Sequence, residues 1–153
     1  MASTSTNKQP LLVDNVFHNA VFVGDRLNDG IDVVGSNSAI LLVNCIGNDG
    51  AVVEDLYTIS RGAAHAVNIF LSTANDYLRP SESVFIGGLG SEATTAQKKS
   101  ADLPTTLTPV PHVGNSSKNS ALYIPKGKAL WVALDSATEQ STAPIVAAQG
   151  GFF

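Results

Sequence analysis

The hydrophobic residues of this chain fall into short runs that polar, turn-forming residues separate. From Leu11 onward the runs are LLVDNVFHNAVFVG, IDVVG, AILLVNCIG, AVVEDLYTIS and AAHAVNIFLST. Runs of this kind, bounded by Gly, Asn, Asp and Ser, are typical of β-strands. No strong amphipathic segment of helix length lies between them, so the pattern favours antiparallel β-structure over alternating strands and helices.

Turn chemistry predicts how some of these strands are joined. Residues 121–134, ALYIPKGKALWVAL, have the pattern of a hairpin whose two apolar strands flank a Pro-Lys-Gly turn at 125–127. Proline fixes one backbone angle of such a turn, and glycine accepts a positive φ. The segments 28–30 and 48–50 are both Asn-Asp-Gly, and Asp-Gly between two strands indicates a hairpin.

The remaining segments are less regular. The polar and Pro-containing sequence of residues 75–82 predicts a loop that leads into a strand over 83–86. Residues 91–103, SEATTAQKKSADL, predict a short helix or an irregular segment, and the prolines of 104–114 predict a long loop or an edge strand. Residues 145–148 predict the last strand.

These elements predict an all-β fold, an antiparallel β-sandwich or jelly-roll-like domain over residues 11–149. Residues 1–10 are rich in Ser, Thr and Asn and are expected to form a flexible arm. Residues 11–35 are expected to belong to the domain or to form a separate hairpin or an exchanged arm. Residues 150–153, Gly-Gly-Phe-Phe, are expected to form a C-terminal tail.

Composition narrows the range of partners. The 153 residues are 44% hydrophobic but only 14% charged, against about 25% in an average domain. A net charge of −4, with Lys98-Lys99 as the longest basic run, argues against nucleic-acid binding, which needs clustered cations. The chain shows neither a secretory signal nor an apolar run of membrane-spanning length, so no membrane partner is expected.

Several candidate chemical sites are weak. Residues 88–93, GLGSEA, match a dinucleotide fingerprint but lack the rest of a strand-helix-strand unit. His18, His65 and His112 have no zinc-ligand spacing, and Cys45 lies in an apolar strand that would raise the pKa of its thiol. We therefore expect no metal, no cofactor and no catalysis.

Adjacent acids and strand aromatics are candidate sugar-processing or sugar-binding groups. Glu54 and Asp55 are adjacent, so they are expected on opposite faces of a strand, which does not suit a glycosidase pair. Four aromatic residues lie within strand patterns, where such residues are usually part of the core and less often form a sugar-stacking platform. These residues are Phe70, Phe85, Tyr123 and Trp131.

Residues 36–149 resemble small β-sandwich proteins of tailed-bacteriophage virions. The resemblance lies in the order of the strands and in a sequence motif that precedes the last strand, apolar-x-Pro-x-Gly-x-x-Leu-x-Val. In this chain the residues that match the motif are Ile124, Pro125, Gly127, Leu130 and Val132.

The resemblance implies a non-enzymatic capsid cement or decoration protein. Such a protein assembles in the bacterial host cytoplasm, binds the major capsid protein on the capsid surface, and is commonly a homotrimer. A neck or tail-fibre component is the related alternative. Extended termini commonly grip neighbouring subunits in these proteins, which makes the two ends of the chain the candidate docking residues: Pro10, Leu11, Leu12, Phe152 and Phe153.

Two other classes of function stay open at this stage. A carbohydrate-binding or receptor-binding β-sandwich would need an exposed aromatic patch, with Trp131 as its candidate centre. An enzyme with a site assembled only in three dimensions is the third alternative.

Overall fold

The computed structural model describes residues 14–28, 38–79, 81–100, 109–111, 120–136 and 140–153. A 3₁₀ turn over Gln140–Thr142 precedes the last strand. No helix in these ranges is long and apolar enough to cross a membrane. The strands are β1 (Asn15–Phe22), β2 (Ile40–Asn44), β3 (Gly50–Ile59), β4 (Ala66–Ser72), β5 (Ser83–Gly90), β6 (Lys98–Ser100), β7 (Pro109–Pro111), β8 (Ser120–Pro125), β9 (Ala129–Leu134) and β10 (Ile145–Phe152).

Eight of these strands form two antiparallel sheets of four strands each. Sheet 1 has the order β1-β10-β3-β8, and sheet 2 has the order β2-β9-β4-β5. This exchange of strands between two four-stranded sheets is the topology of a jelly roll. The short strand β7 extends sheet 1 beyond β8, and β6 pairs with the end of β3. The all-β antiparallel sandwich expected from the sequence is confirmed.

The main hydrophobic core lies between the two sheets. In β9 every second residue, Leu130, Val132 and Leu134, faces sheet 1 and is almost completely buried. Val53 and Leu56 of β3 approach this layer from the other side and are fully buried. Burying side chains of this size stabilises a fold by about 1.5–3 kcal/mol each, so this layer is the main source of stability.

A second, smaller cluster covers the outer face of sheet 2. Trp131 and Phe70, on neighbouring strands, pack with Leu78 of the loop that joins β4 to β5. The Trp131 indole donates a hydrogen bond to the carbonyl oxygen of Ala74 at 3.1 Å. Trp131 and Phe70 are therefore core residues, as expected, whereas Phe85 at the edge of the same sheet is half exposed.

The turn at residues 125–128 is not the turn of a hairpin. It has the expected chemistry, because Gly127 has a φ of 75° and the Lys128 amide donates to the Pro125 carbonyl at 3.2 Å. However, β8 pairs with β3 in sheet 1, whereas β9 pairs with β2 and β4 in sheet 2. The turn therefore carries the chain from one sheet to the other, and the predicted hairpin is wrong.

The Asn-Asp-Gly turn at 48–50 is a second corner between the sheets. It joins β2 of sheet 2 to β3 of sheet 1, so the hairpin predicted there is also wrong. A local turn signal cannot distinguish the two cases, because both bury the apolar residues of the flanking strands in one core. The other Asn-Asp-Gly turn, at 28–30, extends outside the described residues.

The middle of the chain has no helix in its described part. Residues 91–97 form turns and bends, and β6 follows, so of the two predicted alternatives the irregular segment is found over residues 91–100 and the short helix is not. The strand expected over 83–86 is present and continues to Gly90. Strand β7 lies at the edge of sheet 1, which agrees with the edge strand predicted for this proline-rich region.

The C-terminal end of the described sandwich differs from the expectation, whereas its first strand agrees with the domain predicted for residues 11–149. Gly150, Gly151 and Phe152 continue β10 between β1 and β3, so they are not a tail beyond the domain. Strand β1 pairs with β10 of the same chain along its whole length, so it is a strand of the sandwich rather than a separate hairpin. The predicted arm at residues 1–10 lies outside the described residues.

Candidate functional site

An apolar row crosses the outer face of sheet 1, on the side away from the core. It consists of Val16 on β1, Gly151 on β10, Val52 on β3 and Tyr123 on β8, which are directly paired in register. Paired residues in an antiparallel sheet point to the same face, so the four positions form one line across four strands. Val16 is 83% exposed and Tyr123 is 41% exposed.

The final residue extends this apolar row. The Phe153 ring lies 5.9 Å from the Tyr123 ring and stays 38% exposed. Phe152 points to the opposite face, where its ring lies 4.8 Å from that of Phe17 against the core. Of the two terminal phenylalanines predicted as docking residues, only Phe153 is therefore placed on an accessible face. The other candidates, Pro10, Leu11 and Leu12, lie outside the described residues.

A β-bulge in β3 brings two carboxylates to the same outer face. Asp55 pairs with Gln149 and Val53 pairs with Gly150, which leaves Glu54 as the extra residue. Because Val53 and Leu56 are both buried in the core, the two residues between them lie toward the outside. The expectation that Glu54 and Asp55 face opposite sides is wrong, since regular alternation stops at the bulge.

A recess lies beside the bulge, and we use this name for the depression over Gly150 throughout. It has a volume of about 330 Å³ and is open to solvent. A Cβ added to Gly150 would lie 1.9 Å from the Val52 carbonyl oxygen, so only glycine fits there. The lining residues are Val16, Phe17, His18, Glu54, Gln149 and Gly150.

A chain of polar contacts borders the recess. His18 Nε2 and the Tyr57 hydroxyl are joined by a short hydrogen bond of 2.5 Å. The Lys98 ammonium lies 4.1 Å from the centre of the Tyr57 ring and 2.6 Å from the Asp55 carboxylate. These contacts hold the side chains in place on the outer face, and they position the Lys98 ammonium for its ion pair with the Asp55 carboxylate.

The other candidate reactive groups are not brought together. Cys45 is fully buried, and burial raises the pKa of its thiol to about 11, which opposes a role as nucleophile. His65 bonds to the Thr142 carbonyl at 2.9 Å, far along the chain from the His18 contact, and His112 lies outside the described residues. Among the described residues, no group of three or more His, Cys, Asp or Glu could hold a metal ion.

The glycine motif at residues 88–93 has an ordinary structural role. Gly88 and Gly90 lie in β5, which is antiparallel to β4, and turns rather than a helix follow. A dinucleotide site needs the amides at the start of a helix to bind the pyrophosphate. The arrangement at residues 88–93 does not provide them.

The apolar row was not identified from the sequence. The alternation of apolar and polar residues along the strands indicates that each sheet has two faces, but it does not show which face packs on the core. One signal was present, since Gly150 and Gly151 interrupt an apolar run, and glycine inside a strand commonly marks a bulge or a close approach of backbone.

Models of protein families, curated proteins and solved structures show no significant match to this chain. Its role is therefore inferred from its own residues and their arrangement.

Proposed function

We propose that this chain is a non-enzymatic structural protein of a tailed-bacteriophage virion. In this role it is a cement or decoration protein that binds the assembled shell of major capsid protein. The observation that carries the proposal is the exposed apolar row on one face of a jelly roll. Jelly rolls are common in viral capsid domains and in lectins, so the fold is compatible with the role without identifying it.

The composition of the row supports docking to another protein. Large exposed apolar side chains that share one face of a sheet mark a candidate docking surface, and aromatic residues in such a surface frequently anchor an interface. Val16 projects almost fully into solvent, and Tyr123 with Phe153 supplies an aromatic pair. The low charge of the chain, 14%, suits a surface that is partly covered in an assembly.

The proposed mechanism is stabilisation by mass action. A protein that binds only the assembled shell shifts the assembly equilibrium toward the shell. As a symmetric homotrimer, the chain would present three copies of one weak docking face. Binding of one face raises the effective concentration of the other two at the shell, so the trimer binds more tightly than one face alone. We place the protein on the capsid surface, after assembly in the bacterial host cytoplasm. A neck or tail-fibre position uses the same docking chemistry and is the related alternative.

The carbohydrate-binding alternative lacks its expected centre. Trp131 is only 3% exposed and is covered by the loop after β4, so its ring cannot stack on a sugar in this conformation. No other described observation favours a glycan over a protein partner for the apolar row.

The experiment that tests the proposal is the protein composition of purified virions of the phage that encodes the chain. We expect the chain to be present in a fixed ratio to the major capsid protein. Light scattering of the purified chain should give a mass near three times 15.9 kDa at low and high concentration. Absence from virions would contradict the virion role, and a stable monomer would contradict the trimer.

A further inference from the structure

We infer that the docking face extends along sheet 1 to a second contact point, where Phe22 and Arg61 bind apolar and acidic side chains of the major capsid protein. The inference rests on the proposed function, because it states how far the docking face reaches and which chemistry it selects. It follows from the register of the strands, the size of the apolar row and the contacts of Arg61.

A second row of side chains crosses the outer face of sheet 1 at the end opposite to the apolar row. Val146 and Thr58 are fully buried on the side that faces sheet 2, and the Thr58 hydroxyl donates to the Gly90 carbonyl of β5 at 2.9 Å. Their neighbours in β10 and β3 therefore point outward. The members of this second row are directly paired in register: Phe22 on β1, Ile145 on β10, Ile59 on β3 and Lys98 on β6.

The two rows frame a polar belt on the same face. Val16 and Phe22 are six positions apart on β1, which corresponds to about 20 Å. Between them, His18, Gln149 and Asp55 are paired across the three strands and form the belt. Phe22 is 38% exposed, and the two isoleucines of the second row are partly exposed. The outer face is therefore apolar at both ends and polar in the middle.

The apolar row alone is too small for an ordinary protein interface. It is one line of side chains across four strands, about 15 Å long and on the order of 100–200 Å² in area. A standard interface buries about 800 Å² on each partner. Asn15 and Phe152 are the last pair of β1 and β10 beyond the apolar row, so these strands offer further surface only toward Phe22. A partner that lies on the apolar row therefore also covers the belt and reaches the second row.

Arg61 determines which partner chemistry fits the second row. Its guanidinium lies 4.7 Å from the centre of the Phe22 ring, and no carboxylate of the described residues forms an ion pair with it. The N–H donors lie at the edges of the guanidinium plane, and a carboxylate can accept two of them in parallel. Lys98, the other cation of this row, already pairs with Asp55 at 2.6 Å. The fitting partner surface therefore has an acidic side chain beside an apolar one.

The contact at Arg61 contributes specificity rather than long-range attraction. The chain carries a net charge of −4, which does not attract an acidic surface from a distance. At short range a carboxylate that meets Arg61 gains charge-assisted hydrogen bonds, whereas a cation in the same place is repelled. The second row therefore selects one orientation of the capsid protein on the docking face.

Photocrosslinking identifies what covers the second row. The photoreactive residue p-benzoylphenylalanine replaces Phe22 or, as the matched control, Phe85, which is a half-exposed aromatic residue on sheet 2. Both chains are bound to shells of the phage that lack the chain and are then irradiated. We expect crosslinks from position 22 to the major capsid protein, in peptides that contain Asp or Glu, and none from position 85. Crosslinks from position 22 to a second copy of the chain, or to no protein, would overturn the inference.

Two matched pairs of variants measure the contribution to shell binding. Phe22→Ala should bind shells at least about tenfold more weakly than the wild type and Arg61→Gln about fivefold more weakly, whereas Phe85→Ala should bind within about twofold. Lys99→Gln is the control for charge, because Lys99 is an exposed cation that points away from Lys98 on β6 and pairs with Glu92 at 3.3 Å. It should also bind within about twofold. Trp131 fluorescence and circular dichroism confirm that each variant is folded.

The outcomes separate this inference from the proposed function. If the wild type binds shells and both Phe22→Ala and Arg61→Gln bind equally well, the second row is overturned and the proposed function stands. If the wild type binds no shells, both are overturned. Light scattering of the variants gives a further check, since a mass below that of the wild-type oligomer would assign the second row to a contact between copies and would also overturn the inference.

Discussion

Gly150 allows β10 to lie close to β3 because it has no side chain. Its position opposite the Glu54 bulge brings its backbone against the carbonyl group of Val52. A side chain there would push β10 away from β3. The absence of a side chain at Gly150 is therefore a packing requirement of these two strands.

Substitution of Gly150 should be costly. We expect Gly150→Ala to lower the free energy of unfolding by about 3 kcal/mol, because the added methyl group would overlap backbone that cannot easily move. Gly47→Ala is the control, since nothing lies within 4 Å of a Cβ at Gly47, and it should change stability by less than about 0.5 kcal/mol. Urea denaturation measures both values. Equal stability of the two variants would contradict the close approach.

Cys45 should make stability depend on alkaline pH. Burial raises the pKa of its thiol from 9.0 to about 11, so the unfolded chain ionises at lower pH than the folded chain. The contribution of the buried, neutral thiol to the free energy of unfolding is fully present below pH 9 and is lost as the pH rises through about 11. Denaturation curves should show a steeper fall over this interval for the wild type than for Cys45→Ala. Parallel pH profiles would contradict a buried thiol.

Strand β10 is an interior strand of sheet 1. It lies between β1 and β3, and its last residues hold Phe152 against Phe17. The pattern Gly-Gly-Phe-Phe resembles a flexible tail in sequence because glycine is uncommon inside strands. In the structure Gly150 is needed for a close approach to the backbone of Val52, which a pattern of hydrophobic residues cannot reveal.

Truncation distinguishes a tail from a central strand. Removal of Phe153 alone should lower stability by about 1–2 kcal/mol, because it loses a partly exposed contact with Tyr123 and the backbone hydrogen bond that the Phe153 amide donates to the Gly50 carbonyl at 3.1 Å. Removal of residues 150–153 should cost about 4 kcal/mol or more, through lost strand pairing and the lost Phe152 contact. Thermal unfolding measures both. Near-native stability of the longer truncation would contradict the assignment of 150–152 to β10.

At the scale of the whole molecule, strands were predictable and their partners were less so. Short apolar runs bounded by turn residues predicted β3, β4 and β9, because each of these strands contributes buried side chains to a shared core. The pattern at 125–128 predicts a hairpin where the structure has a corner between the sheets, because a turn glycine fits both. The bulge at Glu54 and the apolar row were not predictable, since both depend on register between strands that are distant in sequence.

Trp131 should report on the integrity of the whole sandwich. Its ring packs with Phe70 and Leu78, and its indole is hydrogen-bonded to Ala74. We expect blue-shifted fluorescence with little quenching by acrylamide in the native protein, and a red shift that coincides with loss of the β-sheet circular dichroism signal on unfolding. Emission typical of a solvent-exposed indole in the native state would contradict the covered outer face of sheet 2.

The most direct test of the docking account is the affinity for phage shells of two matched valine variants. Val16→Asp places a charge in the apolar row, whereas Val84→Asp alters another exposed valine, 62% accessible, on β5 of sheet 2. Both substitutions lie on solvent-exposed strand positions, so both chains should fold. We predict that Val16→Asp weakens binding at least about tenfold and that Val84→Asp binds as the wild type does. Equal binding of the two variants, or no binding by the wild type, would contradict the account.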